Sequence, residues 1–190
     1  TCWHAYQRCF EYVCKELGIK HPQDERDFGK SWGLIRAEFS SQMDRLLKLG
    51  RGVIFIAHSD LSEVETRHGT KFHRVQPLIA RQAMEYYTAT VDVIGYYHYY
   101  GSDRILQVDG DDFVVAGNRI DTHFRTPEGF RIVEIPMGKS AEQSYANLLT
   151  AYANKQTRST ITDGGSNAIR SSAEKHGNYV EESEEGSGSQ

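Results

Sequence analysis

The run Gly52-Val53-Ile54-Phe55-Ile56-Ala57, ended abruptly by His58 and Ser59, constrains this chain more than any other segment. An unbroken apolar run is how a strand covered on both faces reads. In open α/β sheets, ligands sit beyond the carboxyl ends of such strands. The run therefore predicts a buried parallel strand that delivers His58 and Ser59 to a ligand-facing edge. On the plainer reading, His58 only terminates a core strand. The stretch that follows, Asp60 to Val75, is polar and carries Arg67, His68, Lys71, His73 and Arg74. It predicts a loop that covers a ligand or reaches a partner, or else a solvated loop.

Amphipathic helices are expected on either side of a loop that precedes this strand. Trp3, Tyr6, Phe10, Val13 and Leu17 recur at steps of three and four and stop at Gly18; Trp32, Ile35, Phe39, Met43 and Leu46 repeat the pattern, with Ser31 as the expected cap. Helix, helix, strand is the order of an α/β unit. Downstream, Pro77 to Thr90 reads as a helix and Val91 to Tyr100 as a β-branched and aromatic strand. Ile105–Val108 and Phe113–Ala116 are short strands around the turn dipeptide Asp109-Gly110. Phe130–Ile135 alternates as one more strand. These make a β-meander, and Ser140 to about Asn154 makes a last helix. From Lys155 the chain turns to Ser, Thr, Gly, Asn and Glu, with an acidic end, and predicts a disordered tail over 155–190.

A length of 190 residues allows one ordinary domain plus that tail. No stretch approaches the apolar length that spans a bilayer, so no membrane partner is expected. The formal charge of -4 argues against a uniformly basic nucleic-acid coat. Cys2, Cys9 and Cys14 match no zinc spacing, and an odd count makes a poor disulfide framework. They predict core thiols in a reducing, cytoplasmic setting. A start at Thr1 suggests a fragment.

No phosphate-cradling glycine loop is legible. Gly138-Lys139-Ser140 lacks the upstream glycine of that motif, where Val133 stands instead, and is better read as a helix cap. Asp109, Asp111 and Asp112 lack calcium-loop spacing and read as a polar turn. No metal ligand is assigned.

Several segments in order point to a family. Glu11-Tyr12-Val13-Cys14-Lys15-Glu16-Leu17-Gly18-Ile19-Lys20-His21-Pro22, then Gly29-Lys30-Ser31-Trp32, then Gly52 to Ser59, then Glu63 to Arg67, resemble the phage-type RecA-like P-loop ATPases of single-strand annealing and recombination, over roughly residues 2–125. The resemblance implies that residues 1–154 are the C-terminal part of a RecA-like ATPase domain: a mixed sheet with flanking helices, without its Walker A and Walker B half. It implies ATP and magnesium bound in the complete protein only. This chain alone should then be catalytically inactive. His58 would be the terminal-phosphate sensor, with Ser59 beside it at the nucleotide. Arg67, Lys71 and Arg74 would contact single-stranded DNA. Relatives carry a Lys-Pro where this chain has Val108-Asp109-Gly110, which leaves Arg119, in a recurring Gly-x-Arg feature, as the candidate cation for a neighbouring subunit's nucleotide. A homo-oligomer, a single-strand-binding protein as partner and a phage protein at work in a bacterial cytoplasm complete the expectation. The competing reading is a non-enzymatic DNA-binding or assembly module with no nucleotide site.

Overall fold

The computed structural model describes residues 1–24 and 29–157. The expected tail lies outside the described residues from position 158 onward. Two compact units are present among the described residues: 1–60 with 75–92, and 61–74 with 93–157.

The first unit is helical. Helix α1 (Cys2–Leu17) ends where Gly18 adopts a left-handed φ of 68°, which lets the N–H groups of Gly18 and Ile19 reach the carbonyls of Lys15 and Cys14. Helix α2 (Lys30–Leu47) starts from Gly29, also left-handed at φ 84°, and Ser31 is buried in its first turn. The expectation of Ser31 as cap is therefore corrected: Gly29 supplies the entry turn, and the serine lies two positions beyond it, inside the helix. Helix α3 (Arg81–Thr90) begins later than Pro77, because Leu78 to Ala80 first run extended beside the apolar run.

Phe39, fully buried, meets Tyr6, Tyr86 and Tyr87 edge-on at 5.4–5.7 Å between ring centroids, so one ring of α2 joins α1 to α3. Cys2, Cys9 and Cys14 are buried in the same core as free thiols, and burial pushes the Cys9 and Cys14 thiols up. They behave as small core residues. Tyr86 donates to Asp44 Oδ1 at 2.6 Å. Burial first, and that acceptor second, push its phenol up to about 12.

The apolar run lies extended on this core, but not as a strand covered on both faces. Phe55 and Ala57 pack on the helices, Phe55 at 4.9 Å from the Tyr87 ring, while Ile54 and Ile56 are 87% and 71% exposed. Within 52–58 no residue joins a sheet ladder among the described residues. The expectation of a two-sided buried strand is corrected on that point. The run does alternate, and the described residues cover only its odd-numbered side.

The second unit is built on small antiparallel sheets. Asp60 to Val75 is not a loop: β1 (Ser59–Glu65) and β2 (Lys71–Pro77) form a two-stranded hairpin. Thr66 and Gly69, at φ 81°, close its turn. The predicted strand over 91–100 is split by Gly95 into β3 (Val93–Ile94) and β4 (Tyr96–Tyr100); a Cβ on Gly95 would lie 2.7 Å from Leu106 Cδ1. Strand β5 (Asp103–Gln107) is the centre of the sheet β4-β5-β7, with β7 at Glu134–Pro136, and β3 pairs with β6 (Gly117–Asn118). Residues 113–116 form no strand, Val114 making only an isolated bridge. Asp111 Oδ1 instead accepts from the N–H groups of Phe113 and Val114, and that local turn replaces a hairpin strand. Helix α4 (Ala141–Tyr152) covers the core of Val108, Phe124, Ile132, Ile135 and Met137 with Leu148 and Ala151. No described helix is long and apolar enough to cross a membrane.

Ile54→Thr and Ile56→Thr should each leave the urea midpoint within about 0.5 kcal/mol of the parent, whereas Phe55→Ala should cost about 2 kcal/mol. Equal losses at all three positions would mean that both sides of the run are buried in solution.

Candidate functional site

His58 ends the apolar run with its side chain exposed. Its carbonyl accepts from the N–H of Leu78 at 2.7 Å. Ser59, exposed, is the first residue of β1, and Pro77 is the last of β2. His58 and Leu78 are therefore the two feet of the hairpin, tied by one hydrogen bond. The site is positioned through Phe55 and Ala57, which anchor the run on the helical core.

The three hairpin cations differ in their surroundings. Arg67 lies exposed in the turn and has no hydrogen-bond or ion-pair partner among the described residues. Lys71 is paired with Glu63 at 2.9 Å, and that hydrogen bond, followed by the lysine's charge, holds the Glu63 carboxyl below its usual range. Arg74 donates from Nε to the carbonyl of Asp112 at 2.7 Å and stands 5.7 Å from the ring centre of Phe72, which meets Phe113 edge-on. It serves as an anchor. The hairpin also carries Asp60, Glu63 and Glu65, so its three cations are balanced by three carboxylates. That balance is legible in the sequence, and naming only the cations of 60–75 left it out.

Arg119 lies exposed just after β6, in a turn held by Asn118, whose Oδ1 accepts from the N–H of Ile120 at 2.8 Å. Arg119 and Arg67 belong to the second unit, and His58 and Ser59 to the first.

Gly138-Lys139-Ser140 is the cap of α4. Ser140 Oγ accepts from the N–H of Gln143, and Gln143 Oε1 accepts from the N–H of Lys139. The Gln143 side chain fills the space over Gly138, where a Cβ would meet it at 2.9 Å. This segment does not fit a nucleotide's phosphates. Asp109 sits 3.6 Å from Arg131, and Asp111 holds its own backbone. Among the described residues no group of three His, Cys, Asp or Glu could hold a metal ion.

The aromatic character of 91–100 was legible in the sequence, but no exposed pair on it was singled out. Tyr97 and Tyr99 of β4 are 47% and 61% exposed, with ring centroids 6.3 Å apart.

Residues 1–120 match the family model described as an AAA domain. No curated protein and no solved structure matches the chain.

The Glu63–Lys71 pair gives a pH test. Because the folded carboxyl titrates below its unfolded value, the pair contributes above the ordinary glutamate range and is lost as pH falls through the lowered folded pKa. Its exposure keeps the contribution small. An NMR titration should show Glu63 titrating below the other exposed glutamates, and Lys71→Ala should move it upward. An unmoved Glu63 would remove the pairing.

Proposed function

We propose that this chain, which belongs to the AAA-domain family of nucleotide-dependent ATPases, is the sensing and DNA-contacting part of a RecA-like, phage-type recombination ATPase that couples ATP hydrolysis to single-stranded DNA handling. The observation that carries the proposal is the tie at the base of the hairpin. His58, with an exposed imidazole, is followed without a spacer by β1, and its carbonyl is bonded to the first residue after β2. A backbone displacement at His58 is therefore shared by both feet of the hairpin.

The described residues present neither a phosphate cradle nor a magnesium site, so ATP and magnesium are assigned to other parts of the complete protein. Within this chain, a neutral imidazole at position 58 can donate one hydrogen bond to a phosphate oxygen, and a protonated one adds charge attraction. Ser59 offers a hydroxyl beside it. Arg67 is the cation placed to meet a DNA phosphate. Lys71 and Arg74 are weaker candidates because Glu63 and Asp112 already engage them. Arg119 is the candidate for a neighbouring subunit's nucleotide in a homo-oligomer, and a single-strand-binding protein is a further proposed partner. The competing reading, a DNA-binding or assembly module without nucleotide chemistry, is favoured by the helix-cap role of Gly138-Lys139-Ser140.

The two readings separate at His58. In the complete ATPase, His58→Ala should leave ATP binding intact and lower DNA-stimulated hydrolysis, and His58→Gln, which keeps a donor, should retain more turnover. Normal stimulated turnover in both variants would remove the sensor role from His58, and no ATP hydrolysis in the complete protein would leave only the assembly reading standing. Salt dependence tests the hairpin separately. Arg67→Ala should reduce the slope of log affinity against log salt for single-stranded DNA by about 0.7, and Lys71→Ala by less. Equal slopes in parent and Arg67→Ala would return Arg67 to a solvated turn.

A further inference from the structure

We propose that the hairpin is a clamped lever: Phe72 and Arg74 fix β2 to the turn at 109–116, so that a displacement at His58 is delivered through β2 to that turn and to Arg119 beyond it. This inference rests on the proposed function and adds the regulation of its site. It joins the candidate phosphate sensor to the candidate cation for a neighbouring subunit.

Strand β2 alternates, with Phe72 and Arg74 half-buried and Lys71 and His73 exposed. The half-buried side makes two contacts with one short turn. Phe72 meets the Phe113 ring edge-on at 5.7 Å between centroids, and Arg74 donates from Nε to the carbonyl of Asp112 at 2.7 Å. The Arg74 guanidinium also stands 5.7 Å from the centre of the Phe72 ring, so the two contacts brace each other. A single contact would leave the strand free to pivot. Two contacts from alternate residues, about 7 Å apart along the strand, fix its direction. A two-stranded ribbon has little stability of its own, so the clamp holds the hairpin in one orientation.

The turn that receives β2 is stiff. Asp111 Oδ1 accepts from the N–H groups of Phe113 and Val114 at 2.8 and 2.9 Å, and the Asp111 N–H donates to the carbonyl of Val114. Val114 is buried, and Gly110 passes so close to the far side of the turn that a Cβ there would collide with the carbonyls of Val114 and Ala116. A force on Asp112 or Phe113 is therefore passed on and not absorbed locally. Strand β6 begins at Gly117, and Arg119 follows it directly.

At the other end, the tie of His58 to Leu78 lies in the first unit, while Phe72, Arg74 and the turn lie in the second. Only Val75, Gln76 and Pro77 separate Arg74 from Leu78, and all three belong to β2. Three strand residues span about 10 Å and are already extended, so they hold no slack to take up a pull at the foot.

The test uses the complete ATPase with oligo(dT). Phe113→Ala should leave unstimulated ATP hydrolysis at the parent's level and lower its stimulation by oligo(dT) about fivefold or more. Phe72→Ala should do the same, and the double variant should lose little more than either single one, because both remove one ring contact. Hydrogen exchange supplies a second measurement: the amides of residues 71–75 should exchange about two- to tenfold faster in Phe113→Ala, with α1 and α2 unchanged. Parent-like exchange at 71–75 in both single variants would remove the clamp. Faster exchange with parent-like stimulation, losses that add in the double variant, or a fall in unstimulated turnover equal to the fall in stimulated turnover would each overturn the lever while the proposed function stands. If hydrolysis by the parent does not respond to oligo(dT), the proposed function and the lever both fall.

Discussion

Phe39 is the ring on which the first unit depends. With no exposed surface of its own, it presents its edges and faces to Tyr6 of α1 and to Tyr86 and Tyr87 of α3. Each such pair contributes about 0.5–1.5 kcal/mol beyond burial of its area. The consequence reaches the candidate site in two steps: Tyr87 is fixed by Phe39, and Phe55 is fixed by Tyr87. Three residues further along the chain stands His58. The direction of that imidazole therefore depends on an aromatic core with no polar role in the site. The thiols of Cys2, Cys9 and Cys14 are buried in the same core, and burial raises the Cys9 and Cys14 thiols further from the reactive thiolate.

The second unit solves a different problem. Strand β5 is short and is paired on both sides, and the segments around it have little regular structure, so side chains must satisfy their backbone groups. Asn154 does this twice, accepting from the N–H of Arg125 and donating to the carbonyl of Thr122, and it adopts φ 60° to do so. His123 stacks on Tyr152 at 3.8 Å and bonds to its carbonyl, which ties the end of α4 to the same turn. Phe124, buried at φ 56°, is a non-glycine residue in a region that costs of order 1 kcal/mol or more. The clamps on either side of it, together with burial of its ring, offset that strain.

All four described helices were legible, since Trp3 to Leu17, Trp32 to Leu46, Pro77 to Thr90 and Ser140 to about Asn154 each carry a helical pattern, and tertiary structure shortened the third at its start. The hairpin was illegible for a physical reason. Its alternation is carried by Ser62 and Val64 on one face and by Leu61, Glu63 and Glu65 on the other, so polarity does not mark the sides. The broken strand at Gly95 and the missing strand at 113–116 were set by close approach and by the Asp111 turn, neither of which has a periodic signature. His58 was legible because a polar residue at the end of an apolar run is conspicuous. Its tie to Leu78 was not, because a carbonyl's partner across twenty residues leaves no mark on composition.

Charge decides how such a chain could hold a nucleic acid strand. The whole chain carries a formal charge of -4, and its hairpin is neutral with histidines uncharged. Counterion release from a few phosphates therefore supplies only a weak, salt-sensitive attraction. Affinity that survives physiological salt has to come from contacts that screening does not weaken, and base stacking is one of them. On the proposed function, the hairpin turn, coupled through its feet to His58, is suited to make a weak contact respond to a distant event and not to set the strength of binding.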